Sequence, residues 1–135
     1  MILGNGVDLA EIHRIERALA AGHGDRLRNR VFTPGEQEYC ESRRKGRLQS
    51  YAARFAAKEA TMKALGVGWG RSAGWLDIEV VRARGEAPRI VLHGKAAETA
   101  RRLGFEHFAL SLTHAAGLAL AFVVGEGVRP GGAAR

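Results

Sequence analysis

The sequence contains little cysteine and few aromatic residues, and each shortage narrows what the protein can be. Cys40 is the single cysteine among 135 residues, which excludes an intrachain disulfide and is compatible with a reducing compartment. Two Trp, two Tyr and five Phe, without an RNP-like or repeated basic motif, argue against a nucleic-acid-binding protein.

Long apolar segments are missing as well. The longest apolar run in the sequence, Leu118 to Val124, is far too short to span a bilayer. The N-terminus lacks the basic segment and the apolar run of a signal peptide. We therefore expect a cytoplasmic protein without a membrane partner.

Negative charge is the third shortage. Lys and Arg number 21 against 14 Asp and Glu, which gives a formal net charge of +7. Such a surface suits nucleic acid, phosphorylated ligands or an acidic protein, and charge alone does not choose among them. The length is that of one domain, which buries about two thirds of its unfolded surface.

An alanine-rich segment, Arg54 to Leu65, is the strongest helix in the sequence. Ser50 is available as its N-cap, and Gly66 and Gly68 end it. With a helical period of about 3.6 residues, one face carries only small side chains, at Ala53, Ala56, Ala57, Ala60 and Ala64. Such a face allows close approach of a neighbouring element, so we expect it to be buried.

The charged residues of this helix form two stripes. Glu59 and Lys63 lie four apart on one stripe, where a solvated ion pair of about 0.2–0.5 kcal/mol is the simplest interpretation. Arg54 and Lys58 lie four apart on the other, and like charges at that spacing destabilise a helix by a similar amount. A bound anion would offset this cost, so the helix is interpreted as a site for a phosphate ester and its metal.

The remaining segments predict an α+β fold with an antiparallel sheet and the order β-α-α-α-β-β-α-β-β. Thr33, Pro34 and Glu36 predict a helix start with Thr33 as N-cap. The other predicted helices are Ile12–Leu19 and Lys95–Leu103; the predicted strands are Ile2–Val7, Leu76–Val80, Arg89–His93, Phe108–Thr113 and Leu118–Val124. Residues 1–125 are expected to form a single domain and 126–135 a disordered tail. Gly4 and Gly6 predict that another element closely approaches the first strand.

Two polar segments are open to more than one interpretation. Asp8, followed by Glu11, fits the N-terminal capping pattern of the first predicted helix. A cationic segment, Arg43, Arg44, Lys45 and Arg47, precedes the central helix. It is either a solvated loop or a phosphate-binding segment, and the sequence favours neither.

Three motifs, in this order, resemble the holo-acyl carrier protein synthases, the small bacterial members of the 4′-phosphopantetheinyl transferase superfamily. They are GxGVD at residues 4–8, RFAAKEA followed by KALG at 54–66, and S-x-T-H at 111–114. Either short motif alone is weak, whereas the central one is long and specific. The resemblance extends from Gly4 to Val124.

The resemblance implies transfer of 4′-phosphopantetheine from coenzyme A to a serine of an apo-acyl carrier protein in fatty-acid biosynthesis, with Mg²⁺ as cofactor. Asp8 and Glu59 would be the magnesium ligands, and Lys63 would contact the phosphates beside the metal. Glu59 is the first candidate for the base that accepts the serine proton. The fold implied is that of the transferase superfamily, assembled as a homotrimer with active sites between subunits.

The resemblance also implies where both substrates bind. Arg54 and His114 would hold phosphates of coenzyme A, supported by Lys58, Arg44 and Lys45. Without the resemblance, His114 at a predicted hairpin corner would be interpreted as an exposed turn residue. The carrier, which is acidic, would dock on the exposed face of the first helix at Arg14 and Arg17, although a solvated face would look the same.

Three departures from the family pattern concern the affinity for coenzyme A and leave Asp8, Glu59 and Lys63 untouched. They are Asn5 between the two glycines, Ala115 after His114, and the Thr61–Met62 pair. Two alternative functions stay open: the same chemistry on a polyketide-type carrier, and a non-enzymatic basic module that binds an acidic partner or nucleic acid.

Overall fold

A long central helix organises the fold in the computed structural model, which describes residues 1–131. In chain order the elements are β1 (Ile2–Glu11), α1 (Ile12–Ala20), α2 (Gly24–Val31), α3 (Pro34–Ser42), α4 (Arg47–Leu65), β2 (Ile78–Val81), β3 (Arg89–Leu92), α5 (Gly94–Leu103), β4 (Phe105–Ala115) and β5 (Leu118–Gly127). The predicted α+β architecture is confirmed, with α2 as an additional helix. Short 3-10 turns precede α4 and β2.

All strand pairs are antiparallel, as predicted. The main sheet has the order β1-β5-β4, and β2 and β3 form a separate hairpin. In the register of the main sheet, Asp8 of β1 lies opposite Ala121 of β5, and His114 of β4 lies opposite Ala119. Both β1 and β5 pack against α4, so the sheet carries one long helix on its buried face.

The alanine face of α4 is the centre of the core, as its sequence predicts. Ala56, Ala57 and Ala60 are completely buried and belong to one apolar cluster with residues of β1 and β5. A side chain at Gly4 or Gly6 would collide with backbone carbonyls of α4 at Ala64 and Ala60. The predicted close approach at these glycines is confirmed, and the approaching element is α4.

The C-terminal end of α4 agrees with the prediction, and the N-terminal end does not. Gly66 ends the helix in the left-handed conformation at φ 72°, as predicted. The helix begins at Arg47 with Gly46 in the N-cap position, so Ser50 lies inside the helix and its prediction as N-cap is wrong. Of the cationic segment, Arg44 and Lys45 lie in a 3-10 turn and Arg47 is the first residue of α4, so the helix extends beyond its alanine-rich part.

The capping role considered for Asp8 is also wrong. Strand β1 continues through Glu11, which pairs with Leu118, and α1 begins only at Ile12. Asp8 therefore lies within a strand, and its side chain is not part of a helix cap. Pairing with the long β5 strand keeps β1 extended past Val7, the point where the sequence predicts the strand to end.

The N-terminus of α3 forms as predicted. Thr33 Oγ1 accepts a hydrogen bond from Glu36 N at 3.1 Å, and Glu36 Oε1 accepts one from Thr33 N at 2.9 Å. Pro34 occupies the first turn. This reciprocal pair is the capping box that the Thr33–Glu36 spacing indicates.

The predicted tail is partly wrong, because β5 continues through Gly127 and pairs there with Phe105. Gly127 N also donates to Met1 O at 3.0 Å. The last four residues of the predicted tail, 132–135, lie outside the described part of the chain. None of the helices within residues 1–131 combines the length and the apolar character that crossing a bilayer requires.

Candidate functional site

Strand β1 and helix α4 bring three of the predicted catalytic residues together. Lys63 Nζ donates to Asp8 Oδ1 at 3.1 Å and to Val7 O at 2.9 Å. The Lys63 ion pair found among residues 1–131 is thus with Asp8, not with Glu59 as the solvated-pair interpretation expects. Asp8, Glu59 and Lys63 are referred to below as the β1–α4 cluster.

Glu59 is half-buried, and its pKa is raised above the ordinary glutamate value. Burial is the main cause, and the negative charge of Asp8 adds to it. Trp69 and Lys63 act in the opposite direction and lower the pKa of Glu59. The Asp8 charge therefore lies close enough to disfavour the ionised form of Glu59, which a cation between the two carboxylates would reverse.

These two carboxylates fit a magnesium ion that is shared with a ligand. Magnesium is typically bound by one or two carboxylates and completes its coordination with phosphate oxygens and water. Within the described residues no group of three His, Cys, Asp or Glu side chains is arranged to hold a metal. The donor set of Asp8 and Glu59 therefore suits an ion completed by phosphate oxygens rather than an all-protein cage.

A second region contains three of the predicted coenzyme A residues, in a cavity of about 500 Å³ between α3, α4 and β4. Its cations are Arg43, Lys45, Arg54 and Arg82, and His114 also lines it; among residues 1–131 the lining contains neither Asp nor Glu. We refer to it as the cationic pocket. A concave site with charge of one sign attracts a ligand of opposite charge.

Arg54 is the buried cation of this pocket, with only 3% of its surface exposed. Its guanidinium carbon lies 4.0 Å from the centroid of the Tyr39 ring. Within residues 1–131, Arg54 Nε is buried without a hydrogen-bond partner. Because buried polar groups are nearly always satisfied, this donor points to a ligand of the pocket.

The pocket contains some of the predicted residues and adds others. Arg54, Lys45 and His114 lie together in its lining, whereas Arg44 is exposed and outside it. Tyr39 and Arg82 also line the pocket, and neither was predicted from the sequence as a site residue. Arg43 also lines it, and its place in the cationic segment was the available signal.

Lys58 is not brought to the cationic pocket. Its ammonium is completely buried and donates to Glu36 Oε1 at 2.7 Å, to Trp75 O at 3.0 Å and to Ile78 O. Burial lowers the pKa of Lys58, and the Glu36 carboxylate opposes that shift. Glu36 Oε2 in turn accepts from Val80 N at 3.0 Å, so the pair connects α3, α4 and β2. All three N–H donors of the Lys58 ammonium are already used in these hydrogen bonds. Lys58 therefore does not support the phosphates of coenzyme A in the way that was predicted.

The predicted docking residues lie on α1. Arg14 and Arg17 are both exposed, and Arg14 stands at the rim of an apolar groove of about 320 Å³. Ile15, Phe32 and Phe55 line the groove. A basic rim beside an apolar groove suits an acidic partner that also presents apolar side chains.

Comparisons with known proteins identify the family of this chain. The family model of the 4′-phosphopantetheinyl transferase superfamily matches residues 4–123. The holo-[acyl-carrier-protein] synthase of Solibacter usitatus is 49% identical over 92% of this chain and 98% of its own. That of Anaeromyxobacter sp. strain K is 50% identical over 96% of this chain and 100% of its own.

A solved structure extends the similarity to the fold. The Helicobacter pylori holo-[acyl-carrier-protein] synthase in complex with coenzyme A is 33% identical, with a TM-score of 0.78 over 90% of this chain and 99% of its own. These similarities favour an enzyme over the non-enzymatic module. The chain belongs to the 4′-phosphopantetheinyl transferase superfamily and is a phosphopantetheinyl transferase.

Proposed function

We propose that this protein transfers the 4′-phosphopantetheine group of coenzyme A to a serine of an apo-acyl carrier protein and releases 3′,5′-ADP. The observation that carries the proposal is the β1–α4 cluster, in a chain about half identical to holo-[acyl-carrier-protein] synthases. A half-buried carboxylate, a second carboxylate and an ammonium are the groups that an alcohol attacking a diphosphate requires.

In this reaction the serine oxygen forms a bond to the pantetheine-side phosphorus, and the bond from that phosphorus to the bridging oxygen of 3′,5′-ADP breaks. Glu59 accepts the serine proton, directly or through a water molecule. Its raised pKa makes it a stronger base than an ordinary glutamate. Positioning and charge neutralisation account for most of the remaining rate enhancement.

Lys63 reaches the phosphates from the exposed side of the cluster, where its ammonium stabilises negative charge that develops on the non-bridging oxygens. Asp8 orients that ammonium through the 3.1 Å ion pair. Asp8 and Glu59 would hold Mg²⁺, which when bound supplies charge neutralisation at the diphosphate.

The cationic pocket receives the phosphates of coenzyme A at Arg54, Lys45 and His114. None of Asp8, Glu59 and Lys63 lines this pocket, so the two regions are separate within one chain. We therefore propose a homotrimer in which the pocket of one subunit adjoins the β1–α4 cluster of the next. The single buried thiol of Cys40 is compatible with the reducing cytoplasm, where we expect the protein to act.

Mass spectrometry tests the activity directly. The protein, coenzyme A, Mg²⁺ and an apo-carrier are expected to yield a carrier heavier by one 4′-phosphopantetheine group. A Glu59→Gln variant serves as the matched control because it keeps the shape of the side chain. A carrier of unchanged mass in the presence of folded wild-type protein and saturating substrates would refute the proposed function.

The choice of carrier needs a comparison of rates. Arg14 and Arg17 offer charge to any acidic carrier, so a fatty-acid carrier and a polyketide-type carrier are both tested. We expect the fatty-acid carrier to give the higher kcat/KM. A higher value for the polyketide-type carrier would assign the protein to that pathway with the same chemistry.

Subunit mixing tests the shared site. Glu59→Gln and Arg54→Gln remove groups from the two regions, so each homotrimer lacks one half of every site. Co-refolded mixtures are expected to regain activity at low coenzyme A concentration, because mixed trimers contain an interface with both halves intact. Activity that never exceeds the sum of the separate variants would refute the shared site.

A further inference from the structure

Tyr39 lies at the centre of the cations of the pocket. Its ring centroid is 4.0 Å from the guanidinium carbon of Arg54 and 5.7 Å from that of Arg43. Arg82 Nη1 is 3.5 Å from the Tyr39 hydroxyl oxygen. One half-buried aromatic side chain on α3 therefore contacts three arginines that come from three different parts of the chain.

A buried guanidinium such as that of Arg54 needs a contact that stabilises it. If Arg54 is to bind an anion, this contact must not neutralise its charge. A carboxylate would stabilise the guanidinium but would also neutralise it, and among the described residues none with a carboxylate lines the pocket. The face of an aromatic ring attracts a guanidinium without neutralising it and leaves the in-plane N–H donors free. The position of Arg54 over the ring agrees with this, since Arg54 Nε lacks a partner among residues 1–131.

In a second tyrosine–arginine pair of the same protein, a carboxylate does neutralise the arginine. The guanidinium carbon of Arg47 lies 5.3 Å from the centroid of the Tyr51 ring. Arg47 Nε also donates to both oxygens of Glu41, at 2.7 and 2.8 Å, and Tyr51 donates to the same carboxylate at 2.6 Å. The charge of Arg47 is thus neutralised, and neither residue lines the cationic pocket.

We infer that Tyr39 is a positioning residue for coenzyme A: its ring holds the Arg54 guanidinium in place, with its charge unneutralised, for a phosphate of the substrate. The inference rests on the proposed function, because it concerns how that substrate is bound. It assigns to Tyr39 an effect on coenzyme A affinity and none on the chemical step. The ring carries this effect, and the hydroxyl group contributes little.

The test uses Tyr39→Leu and Tyr39→Phe in the full-length protein. We expect Tyr39→Leu to raise the Kd and the KM for coenzyme A about tenfold, with kcat within about twofold of wild type. Tyr39→Phe keeps the ring and is expected to stay within about twofold of wild type in all three. In an Arg54→Gln background, Tyr39→Leu is expected to change the Kd by less than about twofold, because the two residues act as one unit.

Tyr51→Phe is the matched control. It removes the hydrogen bond to Glu41 and is expected to lower the melting temperature while the Kd for coenzyme A is unchanged. This control separates loss of stability from loss of binding. If Tyr39→Leu does not fold, Tyr39→Gln replaces it, since Gln is a good helix former at this half-buried position.

The outcomes separate the inference from the proposed function. Normal coenzyme A binding by wild type and by the ring-deleted variant would overturn the role of Tyr39 and leave the function intact. An equal rise of the Kd in Tyr39→Phe and Tyr39→Leu would also overturn it, because the ring would not be the cause. Wild-type protein that neither binds coenzyme A nor modifies the carrier would overturn both.

Discussion

The β1–α4 cluster and the cationic pocket both use side chains of α4, and they balance charge in different ways. In the cluster, the Lys63 ammonium pairs with the Asp8 carboxylate, and Glu59 stays half-buried nearby. In the pocket, Arg54 is almost completely buried and its partner is an aromatic ring. Opposite charges that compensate each other suit a site where protons and charge move during a reaction. An uncompensated cation suits a site that must attract and hold an anion.

Lys58 lies one turn from Arg54 on the same stripe, but it belongs to neither the β1–α4 cluster nor the cationic pocket. Its charge is compensated by Glu36 in the protein interior, so it stabilises the fold. Three cations of one helix, Arg54, Lys58 and Lys63, thus serve binding, folding and catalysis in this scheme. The side chain that each cation contacts determines its role, whereas the spacing of the three cations along the helix does not.

The largest expected effect concerns Lys58. Lys58→Met leaves the Glu36 carboxylate buried without its counter-charge, which is expected to lower the free energy of unfolding by about 3–5 kcal/mol. Urea denaturation measures this loss. The control is Lys63→Met, whose exposed pair with Asp8 contributes at most about 1 kcal/mol. Equal losses for the two variants would contradict the distinction between the buried and the exposed lysine.

The next effect distinguishes the cluster from the pocket by its kinetics. Glu59→Gln and Lys63→Met are each expected to lower kcat at least about a hundredfold, or roughly 2.7 kcal/mol in the barrier. Steady-state assays at saturating coenzyme A measure it. The rise of the melting temperature on addition of coenzyme A is expected to persist in both variants. A normal kcat in either variant would remove that residue from the catalytic scheme.

Arg54→Gln is expected to show the converse pattern. Loss of a charge-assisted hydrogen bond to phosphate is expected to raise the KM for coenzyme A about tenfold, with kcat nearly unchanged. The rise of the melting temperature with coenzyme A is expected to shrink accordingly. Both quantities are compared with Arg44→Gln, which removes an exposed cation outside the pocket lining. Indistinguishable behaviour of the two variants would argue against a phosphate contact at Arg54.

A smaller effect is expected from a substitution on the exposed face of α1, which belongs to neither the β1–α4 cluster nor the cationic pocket. Arg14→Glu is expected to raise the KM for the carrier about fivefold and to leave the KM for coenzyme A unchanged. Wild-type affinity for the carrier is expected to fall as salt rises, because exposed charges are screened over about 8–10 Å. Initial rates at several salt concentrations test this. A parallel change in both KM values would refute carrier docking at Arg14.

The smallest expected change is in the titration of Glu59. Its pKa is raised in the folded protein, so the unfolded chain releases this proton first as the pH rises. The contribution of Glu59 to stability therefore decreases between the ordinary glutamate pKa and the raised one. Asp8→Asn removes a neighbouring negative charge and is expected to lower the pKa of Glu59, which carboxyl ¹³C NMR measures. An unchanged pKa would show that burial alone raises it.

Much of the fold is predictable because local patterns dominate it. The alanine face of α4, the Thr33–Glu36 capping box and the glycine end of α4 all depend on residues close in sequence. The α2 helix is missed because its sequence is strongly polar, with Leu27 and Val31 as its large apolar residues. The capping role of Asp8 fails for the converse reason, since pairing with β5, far away in sequence, keeps β1 extended.

Periodicity, capping and the long central motif are all readable along the chain, so the sequence is enough to predict the core helix, the α+β class and the family. Which charges share a site depends on the tertiary structure. It pairs Lys63 with Asp8, buries Lys58 against Glu36, and places Arg54 over the ring of Tyr39. These partners lie 15 to 55 residues apart in the chain, and the spacing within one helix carries no information about them. Burial and long-range contact set the role of each charge, and both arise only when α3, α4 and the sheet pack together.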